Sequence, residues 1–229
     1  MGSQRTSHPV HFTATTEFQK WLRLRYVEFA EIFRGYGELT IRVREAGCTA
    51  AEGFDNRALT YDRYWCLETV RDQNDCAWLL VVQLRPKVVH MGTPCSRMCV
   101  VGPRQIDPAT AAQNAFTFKV AAHQDAEGLG ASIENPAGTL LIEQKGFNRV
   151  CGTIEKPKPG WSFYRSHGCQ FALECPAPYA DIPFEPIQKS AIWIANFDLA
   201  IMELRCRSPM ALVHSVHVHK HARGTVRTP

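Results

Sequence analysis

Short apolar runs that end on turn residues alternate along this chain with segments of helical spacing, and that alternation constrains the fold more than any other feature. Residues 27–33 read as a first strand, Arg34-Gly35-Tyr36-Gly37 as a tight turn, 38–46 as a helix, and Gly47 as its left-handed stop. A second strand is expected over 49–54, closing on Asp55. Residues 59–70 and 76–84 carry helical spacing, the latter with Asn74 or Asp75 as N-cap and Pro86 just beyond its end. A strand over 87–91 follows. Asp107 then caps a helix whose first residue is Pro108 and which runs to about residue 127, with Gly128 as its stop, before a strand over 131–134. Strands joined by helices at these distances need crossover connections, so the expected fold class is α/β: a Rossmann-like, doubly wound, mainly parallel sheet.

The flanks differ from this body. An N-terminal extension is expected over residues 1–26, polar over 1–12 and helical over 13–26, where Phe18, Trp21, Leu22 and Leu24 carry helical spacing, and 27–204 make the single expected domain. That domain becomes loop-rich and rich in Pro from about residue 156 until a last strand over 191–195. The tail, 205–229, holds Arg205, Arg207, Lys220, Arg223 and Arg227 and no acidic residue, so much of the formal net charge of +4 sits where it can meet phosphate. Nine Cys is an odd number without regular spacing, and the first residues lack a charged segment followed by an apolar one; an intracellular, cytoplasmic or nuclear protein is expected. No run approaches the ~18 apolar residues of a membrane helix.

In a parallel sheet, chemistry gathers beyond the carboxyl ends of the strands. Gly35-x-Gly37 stands there, where missing Cβ atoms let a cofactor approach the backbone and a helix start offers N–H donors; the other reading is a bland turn. Asp55, at the end of the second strand, can accept from ribose hydroxyls. Gly92-Thr93-Pro94-Cys95 places a thiol at the sheet rim as a nucleophile, or as one more space-filling Cys. Arg97 and Arg104 stand near enough to favour a thiolate, or are solvated loop charges. Glu134-Asn135-Pro136 aims a carboxylate out of the next strand, unless Glu134 caps a short helix over 138–144 or Asn135-Pro136 is only a turn.

Together these residues resemble the catalytic domain of the DNA (cytosine-5) methyltransferases over roughly residues 27–145. The matching elements are Phe33-Arg34-Gly35-Tyr36-Gly37, Leu39, Arg44-Glu45-Ala46-Gly47, Gly53-Phe54-Asp55, Pro94-Cys95 and Glu134-Asn135. The resemblance implies S-adenosylmethionine held by Phe33, Gly35, Tyr36, Gly37, Asp55, Glu68, Gly92 and Pro94. It also implies a cytosine flipped into the pocket, contacted by Ser96, Arg97, Asn135 and Pro136. Cys95 would add to carbon 6 of the ring while Glu134 acts at N3, so that carbon 5 takes the methyl group. A loose match of Gln188-Lys189 to the family's Gln-x-Arg motif makes Lys189 a third catalytic candidate.

The chain departs from that pattern in reading Thr93-Pro94-Cys95 where the family has Pro-Pro-Cys. It also has no room for a target-recognition domain, so a separate recognition partner is expected. DNA is the expected nucleic-acid partner. The alternatives are methylation of RNA, or a non-catalytic nucleic-acid-binding protein that kept the fold. His217, His219 and His221 alternate and with Cys206 could hold Zn²⁺, or form an exposed tail near phosphate. Trp161, Phe163, Tyr164 and Arg165 offer stacking surfaces for bases, or core packing.

Overall fold

The computed structural model describes residues 26–99, 103–167 and 190–202. Its centre is a five-stranded sheet in the order β1-β2-β3-β5-β4. The strands are β1 (Phe29–Ile32), β2 (Val88–Met91), β3 (Gly130–Pro136), β4 (Ser162–His167) and β5 (Ser190–Ala195). β1, β2 and β3 run parallel, while β5 pairs antiparallel with both β3 and β4. β1 is buried along its whole length, as a strand covered on both faces must be. The expected second strand makes only two isolated parallel bridges to β1, at Ala50 and Phe54. Between them Gly53 turns left-handed and the Arg44 guanidinium takes the carbonyls of Ala50 and Ala51, so a regular ladder cannot form.

Helices cover both faces. α1 (Glu38–Glu45) lies against β1, and α3 (Pro108–Ala126) against β2 and β3. The cross-strand register assigns the faces, because residues paired across a ladder point the same way. Ile32, Met91, Ile133, Ile194 and Phe163 form one row across all five strands. Phe163 meets Phe147 of α4 (Lys145–Cys151), which meets Phe118 of α3, so α3 and α4 share this face. Glu31, His90 and Ser132 form the next row on the opposite face, where Glu31 accepts from Thr40 of α1. This is the doubly wound, Rossmann-like arrangement, with the β5–β4 pair appended antiparallel at one end.

Local signals account for most helix ends. Asp107 caps α3 through its bond from the Thr110 N–H, Pro108 follows at the first helical position, and Gly128 closes the end in the left-handed region. The helix expected over 59–70 is absent. Thr60 and Arg63 instead bridge across a tight turn, with Tyr61 and Asp62 at positive φ. The apolar spacing there serves packing: Trp65 is buried edge-on against Phe54, with ring centroids 4.9 Å apart.

α2 (Val70–Trp78) starts earlier than expected, capped by Thr69 rather than by Asn74 or Asp75, and continues as a π-helix through Leu79–Leu84. Asp75 lies inside the helix because it and Asp72 bind the Arg63 guanidinium, which also covers the Trp65 ring. The expected 138–144 helix is a short 3-10 turn, Leu140–Glu143, and α4 and β4 are further elements that local pattern did not announce. No helix among the described residues is long and apolar enough to cross a membrane.

Candidate active site

The carboxyl ends of the bridged segment ending at Phe54, of β1, β2 and β3 lie side by side. Residues 33–37, Asp55 and the 92–95 loop therefore leave the sheet along one edge. Glu134-Asn135-Pro136 run on past the end of the β2 ladder and stay in the sheet by pairing with β5, so the strand expected to stop at Glu134 is carried further by its antiparallel partner. At that edge the backbone bends sharply: Phe33, Gly35 and Gly37 all have positive φ. A Cβ placed on Gly35 would meet nothing within 4 Å, so the turn opens onto free space, whereas one on Gly37 would strike the Arg34 guanidinium at 2.9 Å.

Carboxylates hold this turn. One oxygen of buried Asp55 accepts from the Gly35 N–H at 3.0 Å and the other from the Arg57 N–H at 2.8 Å. Glu31, buried on β1, accepts from both the N–H and the hydroxyl of Thr40 in the first turn of α1. It thereby supplies the side-chain acceptor that Gly37, as N-cap, lacks. Burial raises the Glu31 carboxyl above its ordinary range, against the opposing effect of the Thr40 bonds. Sequence reasoning passed over Glu31; its signal was a carboxylate inside an otherwise apolar strand. Tyr36 points into solvent from the turn, while Phe33 is half-buried.

The loop bearing Cys95 is pinned from several sides. Gly92 donates its N–H to the Ile32 carbonyl, and a Cβ there would meet the Phe33 carbonyl at 3.1 Å. Buried Thr93 touches Thr117 of α3 hydroxyl to hydroxyl at 3.1 Å, and its carbonyl accepts from the Asn135 amide at 2.7 Å. The Cys95 carbonyl accepts from the N–H groups of Met98 and Cys99, closing a single turn. Met98 is gripped in its turn by the Asn114 amide on its sulfur and by the Leu140 N–H on its carbonyl. Cys95 itself is half-buried, whereas burial pushes the thiols of Cys76 and Cys151 up, away from nucleophilic use.

Asn135 thus links the end of β3 to the Pro94-Cys95 loop across 42 residues of sequence. It is completely buried, and its Oδ1 has no hydrogen-bond partner among the described residues. Glu134, one residue earlier, is half-buried on the opposite face of β3, directly across from Trp193 of β5, while Pro136 ends the ladder opposite Ala191. The two arginines near Cys95 face carboxylates: Arg97 lies 3.4 Å from Asp107 at the α3 cap, and Arg104 lies 3.5 Å from Glu143 and donates to the Gly138 carbonyl. Ser96 is exposed on the same loop. Glu68, also exposed, accepts from Gln113 of α3 at 3.4 Å.

One further cluster lies beneath the edge, on the α1 face. The His90 imidazole contacts the Ser132 hydroxyl at 2.9 Å through Nδ1, and its ring lies 5.5 Å from that of Trp193, tilted by 30°. Burial holds its pKa down at about 4, so the ring is neutral near pH 7. Trp161 is buried beside the core and Phe163 packs on Phe147, while Tyr164 and Arg165 are half-buried and exposed on β4. Lys189, Cys206, His217, His219 and His221 lie outside the described residues. Among those described, no group of three or more His, Cys, Asp or Glu side chains could hold a metal ion.

No protein-family model matches the chain, and no curated protein matches it. A solved methyltransferase overlaps it in part. That structure is the S. pombe Dnmt2 methyltransferase, at 14% sequence identity and a TM-score of 0.44, with 76% of this chain and 51% of the other covered. This chain therefore spans about half the length of that one.

Proposed function

We propose that this chain is an S-adenosylmethionine-dependent methyltransferase that transfers a methyl group to carbon 5 of cytosine, in DNA, through a covalent adduct on Cys95. One observation carries the reading. The glycine turn, Asp55 and Pro94-Cys95 leave three adjacent parallel segments at the edge where β3 runs on past β2 with Glu134-Asn135, and the Asn135 amide ties the thiol-bearing loop to the strand that bears Glu134.

The residues present fit the cofactor. The left-handed turn with open space at Gly35 suits a ligand lying against the backbone. Phe33, Gly35, Tyr36, Gly37, Asp55, Glu68, Gly92 and Pro94 are the residues assigned to hold it. When bound, it supplies an electrophilic methyl group.

The protein's own part is polar activation of the ring. The Cys95 thiolate bonds to carbon 6, Glu134 donates to or hydrogen-bonds N3, and the electron density displaced by the addition collects on carbon 5, which becomes the nucleophile. After methylation a base removes the proton on carbon 5, the ring double bond re-forms and the thiolate leaves. Reducing the motion of Cys95 relative to Glu134 serves this chemistry directly, because a pair that must act on adjacent positions of one ring gains most from fixed geometry. Ser96, Arg97 and Pro136 are assigned to the substrate side; Asn135, expected there too, is fully buried and instead holds the Thr93 carbonyl, and Lys189 remains a third catalytic candidate.

The test is transfer from labelled S-adenosylmethionine to single-stranded DNA, duplex DNA and RNA, with 5-methylcytosine mapped in the product. Cys95→Ala is expected to abolish transfer, and DNA carrying 5-fluorocytosine is expected to trap a denaturation-resistant adduct on wild-type protein alone. Transfer and trapping confined to RNA would redirect the reading to RNA. No transfer to any substrate, with Cys95→Ala indistinguishable from wild type, would overturn it.

A further inference from the structure

The surface beside Glu134 is built in a way that the catalytic reading does not use. Glu134 and Trp193 are direct cross-strand partners in the β3–β5 ladder, so their side chains leave the same face. Trp193 does not stay above its own strand. Its ring reaches within 5.5 Å of the His90 ring on β2, two strands away, and so passes over β3. Ser132, which shares that face of β3 two residues before Glu134, is small enough to let the two rings meet and bonds His90 from below.

The indole is also anchored at its polar edge, where Nε1–H donates to the Ser166 hydroxyl of β4 at 2.9 Å. A tryptophan held at both ends serves packing alone when it is sealed in. Trp193 is only half-buried, although its neighbours Ile192 and Ile194 on β5 are buried and Ile194 is fully so.

We propose that Trp193 is the stacking platform of this site, a rigid aromatic floor that receives an unpaired pyrimidine and sets its ring edge toward Glu134. The chemistry fits: stacking on a fixed aromatic ring is sequence-tolerant, needs no recognition domain, and leaves the hydrogen-bonding edge of the base for the carboxyl group. His90 and Ser166 act as positioning residues that hold the indole. The identity of the base rests on the cytosine-transfer reading; the platform rests on the geometry of β2, β3 and β5.

The experiment measures binding without turnover, using duplexes in which a single central position is unpaired and carries either cytosine or an abasic sugar, in DNA and in RNA versions. Wild-type protein is expected to favour the cytosine duplex over the abasic one by about tenfold, the scale of one base–aromatic contact. Trp193→Ala and the volume-filling Trp193→Leu are expected to lose that ratio, and Trp193→Phe to keep most of it. Discrimination lost in either the DNA or the RNA arm supports the platform and names its source. Equal weakening on cytosine and abasic duplexes, with the ratio unchanged, means a purely structural tryptophan and overturns the proposal, as does a wild-type ratio of one in both arms. Methyl transfer measured on the same duplexes separates the two readings: base discrimination without transfer leaves the platform standing alone, and transfer without discrimination leaves only the chemistry.

Discussion

The two faces of the sheet are polar in different ways. On the α1 face the row Glu31, His90 and Ser132, continued by Glu134 and Trp193, combines titratable groups with aromatic rings. On the α3 face the polar groups are neutral: Thr93, Thr117, Asn114 and Asn135 interlock beneath the Cys95 loop. Alternation along β3 separates the two sets, since Glu134 and Asn135 are neighbours in sequence but point apart. The lesson is a division of labour within one strand end. Neutral amides hold the loop in a way that pH does not loosen, and the groups that can exchange protons lie on the other face.

The largest expected effect comes from removing the proposed proton donor, Glu134, on the titratable face. Glu134→Gln should lower the methyl-transfer rate by about 10²–10⁴-fold while leaving the thermal midpoint close to wild type, as read by steady-state kinetics and calorimetry. A variant with full activity would erase the functional distinction between the faces.

His90 tests the same face through stability. Its folded pKa is depressed to about 4 from 6.5, so the unfolded chain takes up the proton first and stability is lost as pH falls from 6.5 toward 4. That loss amounts to about 3 kcal/mol. Urea titrations across this range should show His90→Asn lacking that share of the decline; an unchanged slope would mean the imidazole is not buried neutral.

The neutral face should respond without any pH signature. Asn135→Ala leaves the buried Thr93 carbonyl without its donor and is expected to cost about 1–3 kcal/mol in urea unfolding, by the same amount at pH 5 and pH 8. A pH-dependent cost would blur the contrast between the faces.

The smallest effect sharpens the glycine-turn side. Because the Glu31 carboxyl is raised above its unfolded value of 4.5, its protonated form is favoured in the fold. Stability from this group is therefore full below that value and declines as pH rises through the folded one. Glu31→Gln, which can still meet Thr40, should remove that decline in melting experiments between pH 4 and pH 7, and an unaltered profile would place the cause elsewhere.

Much of the parallel half was legible because its signals are local. The glycine turn, the Asp107-Pro108 cap, the Gly47 and Gly128 stops and the runs around β1, β2 and β3 each act within a few residues. The 59–70 segment misled for a physical reason: Trp65 and Leu67 are spaced for burial, yet Arg63, binding Asp72 and Asp75, sits in a turn rather than a helix. α4 was obscure because it is short, carries Gly146 and lacks a side-chain cap. β4 was obscure because an edge strand reading Ser-Phe-Tyr-Arg-Ser-His owes its pairing to β5 rather than to its own pattern.

By itself the sequence marked candidate residues for chemistry and the turns at Gly35-Gly37 and Gly92-Pro94 that follow β1 and β2, since Gly and Pro act on their own backbone. Tertiary structure alone decided the rest: that Asn135 reaches back to Thr93, that Glu31 closes the start of α1, and that Trp193 crosses β3 to meet His90 beside Glu134. Those contacts join residues far apart in the chain. Their energy depends on register and on which face a side chain takes, and a one-residue shift in pairing would reverse every one of them.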